Sequence, residues 1–159
     1  SLYGLWPSRL TRLSYHSLNK EEKNHSLKAV LSWKAKISSF KMIDKGDYVG
    51  YGCTYQASTQ MQVAVIPVGY YEGYPRLASG SGSYVLLRGN RCTILGRVCM
   101  NMLMIDVSQI DNLTNSEVVT LLGQDGTERI DLEDLASWSQ TIHYEIVTRL
   151  NSKLPRRIV

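Results

Sequence analysis

Nowhere does this sequence contain an apolar run of the roughly 20 residues needed to span a bilayer, which excludes a transmembrane helix and leaves no reason to expect a membrane partner. It has only three cysteines, Cys53, Cys92 and Cys99. An odd number without C-x-x-C spacing argues against a disulfide framework and a zinc knuckle, so reduced thiols in a cytoplasmic protein and no metal are expected. There is no internal repeat, and no low-complexity tract beyond the glycine and serine of residues 78–83. An initiating methionine is also missing. Residues 2–6, LYGLW, read as the interior of a folded element rather than as a signal peptide, so the chain is expected to be a fragment.

What is present suits one globular domain: 159 residues, of which 43% are hydrophobic. Lys and Arg number 18 against 14 Asp and Glu, a net charge of +4. Much of the excess lies toward the ends, at Arg9, Arg12, Arg149, Lys153, Arg156 and Arg157. Such ends suit an anionic or nucleic-acid partner, or simply a solvated or subunit-facing surface.

Along the chain, the polar run of residues 8–26, containing KEEKNH, reads as a connecting segment or exposed loop, and residues 1–28 as a linker ahead of a domain over 29–159. Leu31, Trp33, Ala35 and Ile37 then alternate with polar residues, the two-residue period of a strand with one wet face. Phe40 and Met42 fall on the other parity, which predicts a bulge or strand end near Ser38 and Ser39. Lys45, Gly46 and Asp47 supply a turn, and a strand carrying Tyr51 is predicted to follow. VAVIPV, residues 63–68, predicts a strand covered on both faces, with Pro67 at an edge or end.

The Gly/Ser tract predicts a flexible loop, and residues 84–87 and 91–95 a hairpin across Arg88, Gly89 and Asn90. Strands are predicted around Leu103 to Val107 and Glu117 to Leu122, with a further hairpin at Asp125 and Gly126. Helical period enters only near the end, with Asp131 as a cap answered by Asp134, and Thr141 as the cap of a second short helix. The expectation is a mainly β, barrel-like domain with one or two short helices near its C-terminus.

Three stretches carry the chemistry: VGYGCTY at 49–55, GYYEGYPR at 69–76 and GRVCMNM at 96–102. In the first, Tyr51 stands between Gly50 and Gly52, an arrangement that clears bulk around a phenol and lets a ligand approach closely. The same pattern also serves a bulged strand with a packed aromatic.

The order LYG, VLSWKAKI, GDYVGYGCTY, IPVGYYEGYPR, GRVCMNM, IDV and TIHYEI resembles the C-terminal part of the fold-type III, pyridoxal-phosphate-dependent alanine racemases, from Leu2 to about Arg156. The resemblance implies a β domain that follows a pyridoxal-phosphate-bearing (β/α)8 barrel, with the barrel absent from this chain. It implies a head-to-tail homodimer in which this domain completes the partner's site and L-alanine and D-alanine interconvert for peptidoglycan precursors. One base is a barrel lysine and the other matches Tyr51. A phenol titrates near 10, so a base working near neutrality needs its anion stabilised by roughly 1.4 kcal/mol per unit, about 4 kcal/mol for three units.

By the same resemblance, Met100 matches the methionine whose backbone N–H meets the substrate carboxylate. Tyr70, Arg76, Arg97, Ile142 and Tyr144 match residues of the passage by which substrate reaches the site, Tyr144 also lying near the cofactor phosphate. Two departures bear on amino-acid specificity: Asn101 follows Met100 where aspartate is usual, and Tyr71-Glu72 replace Ala-Asp. No lysine sits in the family's cofactor-attachment motif, so this chain alone is expected neither to hold the cofactor covalently nor to racemise alanine. The alternatives are a racemase of serine or a basic amino acid or, in another class, a basic β-barrel binding nucleic acid. Against the latter, the tyrosines cluster beside glycines while the basic residues sit mostly elsewhere, so no nucleic-acid partner is expected.

Overall fold

A computed structural model describes residues 4–7, 9–18, 27 and 29–158. The chain divides into two compact units, Ser1–Leu31 and Ser32–Val159.

The first unit corrects the sequence reading of its polar run, part of which is helix α1 (Arg9–Leu18) rather than loop. Polarity is a weak guide here. Nothing between Arg9 and Leu18 is Gly or Pro, leucine and arginine are good helix formers, and Pro7 stands just upstream, where its fixed φ suits a helix start. The Trp6 and Tyr15 rings lie 4.8 Å apart, joining the preceding turn to the helix.

The second unit is mainly β. Its strands are β1 (Trp33–Lys36), β2 (Ser39–Ile43), β3 (Tyr48–Val49), β4 (Tyr55–Gln56), β5 (Met61–Ile66), β6 (Tyr84–Leu87), β7 (Asn90–Leu95), β8 (Leu103–Asp106), β9 (Val118–Asp125) and β10 (Glu128–Ile130). Two helices follow, α2 (Leu132–Trp138) and α3 (His143–Arg149). The main sheet runs β1-β9-β6-β7-β8-β5-β2, with β10 on β9, and every pairing is antiparallel.

The first and last strands of that order are consecutive in sequence. At the break between them, Ile37 N donates to Glu117 O at one edge of the sheet and Ser38 N donates to Val65 O at the other. One bent segment thus joins both edges and closes the sheet into a barrel-like form, and the parity change at Ser38 and Ser39 marks the corner. β5 is covered on both faces, and Pro67 lies just past its end, where no ladder donor is lost.

The hairpin of β6 and β7 turns on Arg88 and Gly89 alone, with φ of +51° and +74°, the left-handed pair of a type I′ turn. Asn90 belongs to β7. The Gly/Ser segment, expected to be flexible, is cross-bonded instead: Ser81 Oγ donates to Ala78 O at 2.7 Å, and the buried Ser83 Oγ donates to the same carbonyl at 2.6 Å. Serine here replaces backbone partners that a glycine tract would leave to water.

The interior is built from Val85, Leu86, Leu103, Ile105, Leu121 and Ile130, with Leu135 of α2 and Ile146 of α3 completing it. Tyr74 is also wholly buried. Burial drives its phenol well above the usual tyrosine range, and among the described residues its hydroxyl has no hydrogen-bond partner. A buried unsatisfied hydroxyl costs stability while its ring repays burial, so Tyr74→Phe is expected to hold or raise the melting temperature. A fall of several degrees on thermal denaturation would mean that the hydroxyl is bonded.

A second cluster, Ile43, Val49, Ala57, Met61, Val63, Leu95 and Met104, sits beneath the small β3–β4 hairpin. Val49 is the hairpin's anchor. Burying a side chain of that kind is worth about 1.5–3 kcal/mol, and here it fixes the base of the turn that carries Tyr51.

Candidate active site

Tyr51 lies on the turn between β3 and β4, not within a strand as its sequence context suggests. Cys53 N donates to Gly50 O at 3.3 Å, closing a four-residue turn with Tyr51 and Gly52 at its centre. Gly52 has φ of +77°, the conformation that the third position of a type II turn requires. The phenol therefore stands at the crest of the turn, 73% exposed.

The two flanking glycines do more than clear space for a ligand. A Cβ on Gly50 would lie 3.3 Å from both Arg97 N and Met104 Cε, and one on Gly96 would lie 2.6 Å from Val49 O. The Tyr51 turn thus rests directly on the Gly96–Arg97 backbone. A Cβ on Gly52 would meet the Arg97 guanidinium at 3.3 Å, so that cation lies against the turn beside Tyr51.

The second and third glycine-rich stretches also meet. Tyr70 N donates to Cys99 O at 3.1 Å and Tyr71 N to Met100 O at 2.9 Å, while Cys99 N donates to Met102 O at 2.9 Å. Gly69 is packed against this loop: a Cβ there would be 2.5 Å from the Met100 carbonyl carbon and closer still to the Cys99 and Met100 oxygens. Among the described residues none accepts from the Met100 N–H, and the residue is 54% exposed. Tyr70 is exposed on the segment that pairs with this loop.

Arg76 opens a short 3-10 turn, Arg76–Ala78, and is tied to the third stretch through one hydroxyl. Ser79 Oγ donates to Arg76 O at 2.6 Å and accepts from Val98 N at 2.8 Å. Among the described residues, Arg88, Arg91, Arg129 and Arg149 each pair with a carboxylate, whereas Arg76 and Arg97 pair with none. These two cations remain available to an anion.

Ile142 and Tyr144 stand at the start of α3. Ile142 is 63% exposed, and the Tyr144 ring lies 4.3 Å from that of His143. The far end of α3 touches the second stretch, since a Cβ on Gly73 would lie 2.6 Å from Arg149 O. Asn151 then donates from its backbone N to Glu72 O at 3.1 Å and from Nδ2 to Tyr71 O at 3.0 Å. Tyr51, Arg97, Met100, Tyr70 and Arg76 are thereby joined through a continuous set of contacts. Ile142 and Tyr144 connect to that set along α3, whose far end meets residues 71–73.

Sequence reasoning missed Ser79 and Asn151, which hold the stretches together. Both are small polar residues just past a helical segment, where a side-chain oxygen or amide can serve orphaned backbone groups.

Thiols and lysines bound what else the site can do. Burial pushes the Cys92 thiol up to about 11, which makes it a packing residue, whereas Cys53 is exposed on the Tyr51 turn. Every described lysine, Lys34, Lys36, Lys41, Lys45 and Lys153, is exposed. A lysine that carries a carbonyl cofactor needs desolvation or a cationic neighbour to lower its pKa, so these do not fit covalent attachment of such a group. Lys28 falls outside the described residues. Among the described residues no cluster of His, Cys, Asp or Glu could hold a metal ion.

Comparison with known proteins gives consistent matches. The family described as "Alanine racemase, C-terminal domain" matches residues 30–158. Alanine racemase from Leptospira interrogans is 45% identical over all of this chain and 40% of its own length. A crystal structure of alanine racemase from E. faecalis superposes with a TM-score of 0.81 at 34% identity, covering 97% of this chain and 38% of that one. Histidine racemase from Leuconostoc mesenteroides subsp. sake gives a TM-score of 0.78 at 34% identity, covering 86% of this chain and 36% of that one. The chain thus spans about 40% of the length of the curated relatives that it matches.

Proposed function

The chain belongs to the alanine racemase C-terminal domain family, and we propose that, within a longer protein, it supplies the second proton-carrying group of a two-base racemase that interconverts L-alanine and D-alanine. The observation that carries this reading is the Tyr51 phenol, exposed at the crest of a turn with the Arg97 guanidinium against that turn. A phenol exposed on a turn anchored to the sheet can reach a substrate held outside this domain, which is what a group that takes and returns a Cα proton needs.

In this reading the Tyr51 hydroxyl oxygen takes the Cα proton on one face of the substrate in one direction and returns it in the other. The Met100 N–H donates to the substrate carboxylate; a backbone donor cannot titrate and is held by the Tyr70 and Tyr71 hydrogen bonds. Arg76 and Arg97 draw the carboxylate inward. Tyr70, Tyr144 and Ile142 border the passage, where bulk disfavours larger side chains. When bound, pyridoxal 5'-phosphate would acidify the Cα proton. Its covalent attachment is assigned to the rest of the protein, because the described lysines are exposed, and in this reading Tyr144 lies near its phosphate.

The reading further makes the protein a head-to-tail homodimer in which Tyr51 serves the partner's site. The product is D-alanine for peptidoglycan, made in the cytoplasm, and the three free cysteines agree with a reducing compartment. A second reading, racemisation of another amino acid, is favoured by the 34% identity to a histidine racemase and by Asn101 and Glu72 at the Met100 loop. It shares the proton-transfer chemistry and differs only in substrate.

Chiral separation of products tests both. The complete protein should convert L-alanine to D-alanine, with serine, histidine and lysine assayed alongside, and residues 1–159 alone should convert none. D-alanine formed by residues 1–159 alone, or no amino acid racemised by the complete protein, would overturn the proposal.

A further inference from the structure

Glu72 is a half-buried carboxylate without a cationic partner among the described residues, and it joins two of the three glycine-rich stretches. Its Oε2 accepts from Gly69 N at 2.8 Å, and its Oε1 accepts from Asn101 Nδ2 at 3.3 Å. Because a carboxylate only accepts, the Asn101 amide must present its nitrogen here. The backbone carbonyl of Glu72, in turn, accepts from Asn151 N at 3.1 Å, so Glu72 is also pinned to the segment after α3.

The consequence falls on Met100. That residue lies between Cys99 and Asn101. The first has its carbonyl held by Tyr70 N at 3.1 Å and the second has its side chain held by Glu72. The Tyr71 N–H holds Met100 O itself at 2.9 Å. Two peptide planes, Cys99–Met100 and Met100–Asn101, are therefore held from one side by residues 69–72, and the Asn101 side chain is tied to the same segment; the Met100 N–H lies in the first of these planes, opposite the Cys99 carbonyl. An N–H that receives a carboxylate gains most when its direction is set before the ligand arrives, since no reorganisation is then needed on binding.

We propose that Glu72 and Asn101 form a positioning pair: a carboxylate-to-amide contact that aims the Met100 N–H at the carboxylate of the amino-acid substrate. This rests on the reading of Met100 as the substrate's donor and adds the element that sets its direction. Neither side chain moves a proton. Their part is polarity: one member must accept and the other donate, and the exposed Asn101 is the donor.

That polarity can be reversed, which makes the pair testable in the complete protein. Asn101→Asp sets two carboxylates against each other, whereas in Glu72→Gln the Asn101 amide can turn its oxygen toward the glutamine nitrogen and keep a contact. The double variant Glu72→Gln/Asn101→Asp restores one contact with donor and acceptor exchanged, the glutamine oxygen still accepting from Gly69 N. Asn101→Asp should raise KM for alanine about tenfold, the loss expected when a hydrogen bond to a charged group is broken, with kcat changed less than about threefold, while Glu72→Gln, which keeps a contact, should change KM less than about threefold. Inhibition by propionate, a probe with the carboxylate alone, should weaken in step. The double variant should return both quantities to within about threefold of the parent, a reciprocity that independent sites would not give.

Hydrogen exchange supplies a readout apart from turnover. The Tyr70 and Tyr71 amides should exchange faster in Asn101→Asp and regain protection in the double. Unchanged KM and propionate inhibition in Asn101→Asp, or a double variant no better than Asn101→Asp alone, would overturn the pair. If Asn101→Asp fails to fold, Asn101→Leu, which removes the donor, decides through KM, propionate inhibition and exchange. Failure of the underlying reading looks different: Tyr51→Phe would then racemise normally, whatever happens at Glu72.

Discussion

Replacing Tyr51 by phenylalanine in the complete protein is expected to lower kcat for alanine racemisation by about 10²–10⁴-fold, the usual contribution of a positioned acid or base. The substitution removes a single oxygen from a side chain that is 73% exposed, so neither packing nor folding should register it. The melting temperature should stay within about a degree, and KM within a few-fold, because the substrate carboxylate is assigned to Met100 and the arginines. Steady-state kinetics with both enantiomers, alongside thermal denaturation, separates these outcomes. A large fall in stability would mean that the phenol is structural; unchanged kcat would mean that it carries no proton.

Gly69→Ala is expected to have the largest effect on folding. The added methyl would enter the backbone of residues 99 and 100, with Cβ 2.5 Å from the Met100 carbonyl carbon. Backbone cannot swing aside as a side-chain tip can. Relief requires the two segments to part, which lengthens the Tyr70–Cys99 and Tyr71–Met100 hydrogen bonds and the Glu72 contact to Gly69 N. Overpacking at about 1–3 kcal/mol together with two weakened bonds at about 1 kcal/mol each gives a loss of about 3–5 kcal/mol. Denaturant unfolding should show this as a lower midpoint, and any protein that folds should have a raised KM for alanine because Met100 has shifted. A variant with the parent's midpoint and KM would show that residues 69 and 100 do not pack as described.

Much of the fold is legible in the sequence where local chemistry decides. Arg88-Gly89 between apolar runs forces a tight hairpin, and Asp131 with Asp134 starts α2, where Asp131 N donates to Asp134 Oδ2 at 2.7 Å. The alternation around Trp33 and the parity change at Ser39 foretell the bent segment that closes the sheet, though not which strands it joins, because edge-to-edge closure is a property of the whole sheet.

Thr141 shows how local reading fails. It reads as the cap of α3, yet its N–H donates to Ala136 O at 2.9 Å while Gln140 N donates to Ser137 O at 3.2 Å, with Gln140 at φ +53°. That is the paired ending of α2, normally announced by glycine and here built on glutamine. Ile142 takes the cap position of α3 instead. Likewise, the glycines around Tyr51 were visible, but their closest neighbours, Arg97 and Met104, lie more than forty residues on and only the fold brings them in. The contact between Glu72 and Asn101 has the same origin: the two residues lie 29 positions apart in sequence.

The central claim, that Tyr51 carries the proton on one face of Cα, is tested most directly by exchange in deuterium oxide. The complete protein should wash deuterium into Cα from either enantiomer. The Tyr51→Phe protein should keep exchange for the enantiomer whose proton the other base removes and lose it, by about 10²-fold or more, for its mirror image. Equal exchange from both enantiomers, at the parent's rates, would contradict the account.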